Sequence, residues 1–91
     1  MTYQERMRAK LTAALSPDLL EIHDNSAKHA GHDGHDPRGE SHFHIKIISS
    51  KFEGLSRVAR HRLIYGSITE EMAERVHAVV IESIAPSEIQ P

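Results

Sequence analysis

The residues His42, Phe43, His44, Ile45, Lys46 and Ile47 alternate polar with apolar, and no other local pattern in the chain leaves so little choice of structure. Period-two alternation suits a half-buried strand, with Phe43, Ile45 and Ile47 on the covered face and His42, His44 and Lys46 on the wet one. The covered face needs a second layer, which the N-terminal segment can supply. Thr2 and Glu5 have the spacing of a capping box. Met7, Leu11, Ala14 and Leu15 then recur at three- and four-residue steps, the period of one helical face. Ser16-Pro17 stops the pattern, because a residue before proline is pushed out of the α region. The spacing predicts a helix over 2–15.

Leu20, Glu21, Ile22 and His23 alternate as a second strand, which turns at Asp24, Asn25 and Ser26. Beyond the strand at 42–47, Leu55, Val58, Ala59 and Leu63 predict the apolar stripe of a helix over 56–65. Arg57, Arg60 and His61 face elsewhere, and Gly66 is its C′ residue. Ser67 and Glu70 repeat the capping-box spacing and predict a short helix over 67–74. The run 76–84 is ambiguous by period: Met72, Val76 and Val79 could extend a helix, but its β-branched residues and continuous apolar character favour a buried strand. The expected order is helix–strand–strand–helix–(short helix)–strand: an α+β layer with helices on one face of a three-stranded sheet.

Ninety-one residues suit one small domain. No run approaches a membrane span, and no apolar stretch of the secretory kind opens the chain, so the expected location is cytoplasmic. The chain has no cysteine, which excludes disulfides, CxxC zinc sites and a thiol nucleophile. Any iron–sulfur chemistry would need thiolates from another molecule. Asp and Glu number 13 against 11 Lys and Arg, a balance that does not suggest a general nucleic-acid binder.

Eight histidines stand out. Three of them, His29, His32 and His35, lie in a connection over 27–40 that also carries Asp33, Asp36, Gly31, Gly34, Pro37 and Gly39. A connection of this length is functional or disordered more often than hairpin-like. It reads as a flexible loop of imidazole and carboxylate ligands, or as a solvated polar loop with incidental histidines. Zinc or nickel held by these three alone is a further option. His77 sits within an apolar run and is either a core histidine satisfied by a carbonyl or a fixed ligand on a rigid strand. Paired with a loop histidine it supplies two ligands and leaves positions for an outside molecule. Arg57, Arg60, His61 and Arg62 on one helix could address phosphates; the acidic balance and the lack of tryptophan favour a solvated or internally paired face. Ser26, Ser41 and Ser56 have no nucleophile-elbow context, and no enzyme activity is expected.

The run 52–65 resembles the signature of the BolA family, F-x-G-x-S-x-x-x-R-H-R-x-[VI]-Y, through Phe52, Gly54, Ser56, Arg60, His61, Arg62, Ile64 and Tyr65. Ser41-His42-Phe43, Asp24-x-Ser26 and Val76-His77-Ala78 also fall where that family carries them. The resemblance covers about residues 3–89. It implies a class II KH-like fold with a mixed sheet and a strand at 76–84. It also implies a partner, a monothiol glutaredoxin of the CGFS type, with which a [2Fe–2S] cluster is shared. The glutaredoxin cysteine and a glutathione thiolate would lie on one side, His77 and a loop histidine on the other. The loop ligand is implied at His29, with His32 next and His35 third; without cysteine the chain fits the His-loop subgroup. Two imidazoles in place of thiolates reduce the site's negative charge and raise the cluster potential. A homodimer of the cluster-free form is a further implication, as are iron–sulfur trafficking and iron or stress regulation. The family has also been linked to DNA-binding transcriptional regulation, through the Arg57–Arg62 region here. The GxxG loop that clamps nucleic acid in KH domains is replaced by Phe52-Glu53-Gly54-Leu55.

Overall fold

A computed structural model describes residues 2–25, 42–74, 76 and 78–89. Helix α1 spans Tyr3–Leu15, strand β1 Leu19–Asp24, strand β2 His42–Ile48, helix α2 Arg57–Ser67, helix α3 Thr69–Glu74 and strand β3 Ala78–Ile84. Short 3-10 turns cover Ser50–Phe52 and Pro86–Glu88. The sheet has the order β1-β2-β3. β1 is antiparallel to β2 and β3 is parallel to it, so the sheet is mixed and the fold is α+β as expected.

The capping box forms. The Thr2 hydroxyl accepts from the Glu5 N–H at 3.0 Å, and the Glu5 carboxylate accepts from the Thr2 N–H at 3.0 Å. Two orphan donors at the start of α1 are thereby satisfied. The helix ends on Ser16, held left-handed at φ 42°. Met7, Leu11 and Leu15 are buried, while Ala14 faces solvent. These side chains meet Ile22, Phe43, Ile45, Ile47, Phe52, Ile64, Ile68 and Val76 in one core. Ser49, fully buried, donates from its hydroxyl to the Leu15 carbonyl at 2.7 Å and closes the C-terminal end of α1. The alternation of β2 holds residue by residue: Phe43, Ile45 and Ile47 are covered, and His42, His44 and Lys46 are partly exposed.

Four expectations require correction. The buried face of α2 is formed by Arg60 and Ile64, not by Val58 and Leu63, which are 60% and 43% exposed. The Arg60 guanidinium is turned inward, so its aliphatic stem packs as an apolar group and the helix is rotated relative to the expected stripe. Gly66 is not a C′ residue but lies inside α2, which runs on to Ser67. The Ser67 hydroxyl donates back to the Leu63 carbonyl at 2.9 Å, so the second capping box does not form. The next turn is instead tied by Thr69, whose hydroxyl reaches the carbonyls of Tyr65 and Gly66, and by buried Ile68. Finally, β3 is not buried on both faces. It lies at the sheet edge, with Val79, Ile81 and Ser83 half-buried and Ala78, Val80 and Glu82 exposed.

Candidate functional site

Three backbone positions converge at one end of the sheet. β1 runs out at Asp24, and the Asn25 N–H still donates to the His42 carbonyl at 2.7 Å. His42 opens β2 and stands in register with Ala78, the first residue of β3. The described flanks of the segment 26–41, Asn25 and His42, are therefore neighbours; His42 lies beside the start of β3, and Asn25 lies one strand further across the sheet. His29, His32, His35 and His77 lie outside the described residues.

The approach to β3 is fixed by an ionic clamp between α1 and α3. Arg6 donates to the Glu71 carboxylate at 3.1 Å and to both Glu74 oxygens at 3.1 Å. Lys10 reaches Glu71 at 2.8 Å and Glu70 at 3.0 Å. The Tyr3 hydroxyl adds a bond to Glu74, and the Arg6 guanidinium lies 4.6 Å from the Tyr3 ring centre. Glu71 is fully buried. Burial works against its charge, but the Lys10 hydrogen bond, an internal backbone bond and the charges of Lys10 and Arg6 outweigh it and hold the carboxyl below the ordinary range. The Glu71 carbonyl accepts from the N–H of buried Val76 at 3.0 Å. The chain is thus anchored at 76 and again at 78.

On the open sheet face His23 stands opposite His44, and His44 Nε2 lies 2.6 Å from the Glu82 carboxylate. Among the described residues no three His, Asp or Glu side chains are grouped to hold a metal ion, and no helix is long and apolar enough to cross a membrane.

The cationic residues of α2 divide into two sets. Arg57 and Arg62 are exposed and His61 is half-buried, with its ring edge-on to Tyr65. Arg60 is internally paired, as favoured over phosphate contact, but it is buried instead of facing solvent. Its guanidinium donates to the Leu55 carbonyl at 3.0 Å, to the Ser83 carbonyl at 3.0 Å and to both Glu88 oxygens at 2.7 and 3.0 Å. It also lies 5.8 Å from the Phe52 ring centre. The hydrogen bond from Arg60 and another from the Ala85 N–H pull the Glu88 carboxyl down to about 2. Arg60 therefore locks the C-terminal turn to the first turn of α2 and is not presented to a phosphate. The signal for this was available: Arg60, Ile64 and Ile68 recur at four-residue steps, a stripe that counts only if arginine is allowed inside.

Residues 11–88 match the BolA-like protein family. The chain belongs to the BolA family. BolA-like protein 1 of Pongo abelii is 44% identical over 82 residues, covering 90% of this BolA-family chain and 57% of the relative. The chloroplastic protein BOLA1 of Arabidopsis thaliana is 48% identical over 85 residues, covering 91% and 53%. The chain thus spans little more than half the length of these curated relatives. Among solved structures, the BolA domain of SufE1 from Arabidopsis thaliana superposes with a TM-score of 0.86 at 42% identity and covers 98% of each chain. The family's Arg60-His61-Arg62 motif thereby acquires a structural meaning here. Its first arginine holds the C-terminal turn, and the two residues after it line the surface.

Proposed function

We propose that this BolA-family chain is a non-enzymatic adaptor that pairs with a monothiol glutaredoxin and shares a [2Fe–2S] cluster, in iron–sulfur trafficking or iron regulation. The observation that carries the reading is the convergence of Asn25, His42 and Ala78 at one sheet end. The two segments that bear His77 and the loop histidines depart from that end. The donor set agrees: a chain without cysteine offers imidazole nitrogen only, and thiolates must come from the glutaredoxin and glutathione. A BolA domain carried within a larger protein such as SufE1 is consistent with a unit that works joined to others.

In this reading His77 is the anchored ligand and His29, or His32 in its place, the second. Bound there, the cluster supplies a centre of raised potential, because neutral imidazoles replace thiolates. The chain's own residues do the positioning. The Arg6–Glu71–Lys10 clamp and the Val76 anchor fix one side of the site, and the Asn25–His42 bond fixes the neck of the other. Both imidazoles must be unprotonated to bind, so the mixed complex weakens as pH falls towards about 6.5.

The test is reconstitution of the chain with a monothiol glutaredoxin, glutathione, iron and sulfide, followed by visible circular dichroism. The reading predicts a spectrum distinct from that of the glutaredoxin homodimer and its loss in His77→Ala. A spectrum unchanged by His77→Ala overturns it. The nucleic-acid reading has lost Arg60 to the interior and retains only Arg57, His61 and Arg62.

A further inference from the structure

The two edges of the sheet are treated differently. The Asn25 N–H bond to His42 sets the β1 ladder so that Leu20 and Ile22 turn their backbone groups outward. Both outward carbonyls are capped from α1, Ile22 by the Gln4 side chain at 2.8 Å and Leu20 by Arg8 at 3.1 Å. On the other side the Ser49 N–H donates to the Ile84 carbonyl at 3.1 Å. In a parallel ladder that bond turns the backbone groups of Val79, Ile81 and Ser83 away from the sheet. The Val79 carbonyl meets the Tyr65 hydroxyl at 3.4 Å and the Ser83 carbonyl meets Arg60 at 3.0 Å. Between them the N–H and C=O of Ile81 have no partner among the described residues.

That gap opens into a groove of about 340 Å3 lined by Arg57, His61, Ile81, Glu82, Ser83 and Ile84. Arg57 has no carboxylate within ion-pair distance among the described residues, whereas Glu82 is engaged with His44 at 2.6 Å. The groove therefore combines a free donor–acceptor pair of an edge strand with a cationic wall whose charge is not internally matched. We infer that it binds a short, extended acidic peptide segment of a partner protein. One residue of the segment would pair with Ile81 by strand addition, and a neighbouring carboxylate would meet Arg57 and His61. A second copy of the chain fits less well, because Tyr65 and Arg60 close the edge on both sides of Ile81 and admit no long β3–β3 ladder. A phosphate chain fits less well too: it has no donor for the Ile81 carbonyl.

The test uses the full, metal-free chain, 15N-labelled, titrated with an acetylated and amidated five-residue peptide of alternating valine and glutamate. Amide shifts should concentrate at Ile81 and Ser83, with slowed exchange of the Ile81 N–H. Arg57→Glu, an exposed substitution, should weaken binding about tenfold, the loss of one charge-assisted bond at a solvent-open site. A peptide with N-methylated backbone, or with lysine for glutamate, should not bind. Shifts centred away from β3, equal binding by the N-methylated peptide, or tighter binding of a DNA oligomer in the same groove would each overturn the inference.

Discussion

Replacing Glu71 by glutamine sets two opposing effects against each other at one buried carboxylate. Its Oε2 accepts from Lys10 at 2.8 Å and Arg6 at 3.1 Å, and its Oε1 is buried with no hydrogen-bond partner. Glu71→Gln keeps the shape and one acceptor oxygen but turns two charge-assisted bonds into neutral-acceptor ones, a difference of about 0.5–2 kcal/mol each. Two effects reduce that sum: Arg6 and Lys10 keep Glu74 and Glu70 as partners in water, and the cost of burying a charge disappears. The net expectation is a loss of about 1–2 kcal/mol at pH 7, read as a lower urea midpoint at unchanged slope. The pH dependence has a definite sign. A carboxyl held below its ordinary pKa contributes stability that is present above the unfolded-state value and lost as pH falls through the folded one. The gap between wild type and Glu71→Gln should therefore close in acid. A variant as stable as wild type at pH 7, or more stable, would mean that desolvation outweighs the clamp and would refute the reasoning.

Other outcomes follow from the same contacts. Arg60→Met should lower the melting temperature and speed hydrogen exchange at the Ala85 and Glu88 amides, while His61→Ala should leave those amides unchanged. In the wild type those amides should stay protected in mild acid and lose protection only as pH falls towards about 2, the value at which Glu88 is held. Gly66→Ala lies in a helix with open space around an added Cβ and should stabilise by about 0.5–1 kcal/mol in urea unfolding. Gly54→Ala, at φ +76°, should instead cost about 1 kcal/mol or more by the same assay.

The elements with one clean period were legible: α1 from its capping box and four-residue apolar steps, β2 from its alternation. What misled was Arg60. Hydropathy patterning counts a guanidinium as a surface group, yet this one finds two backbone carbonyls and the exposed Glu88 carboxylate as partners while its stem is covered, so the expected face of α2 was rotated. Gly66 misled because glycine is permitted, not required, inside a helix, and buried Ile68 fixes where α2 ends. Of the candidate site, His77 and the loop histidines stood out as unusual ligand types in an apolar run and a polar connection. That the two could pair was already open from their ligand chemistry, but which loop histidine pairs with His77, and around what, came from the family resemblance, because strand register is a long-range property that local pattern does not carry. The open edge at Ile81 was illegible for the same reason: nothing within β3 says which of its backbone groups face outward.

The reading that imidazoles of this chain complete a centre shared with a thiol-bearing partner is tested most directly by electron–nuclear spectroscopy of the reduced mixed complex. It predicts nitrogen couplings of two iron-bound imidazoles in a complex formed with 15N-labelled chain and unlabelled glutaredoxin, one of them absent in His77→Ala. A reduced cluster that shows no coupling to nitrogen of this chain, or one whose couplings survive His77→Ala intact, would contradict it.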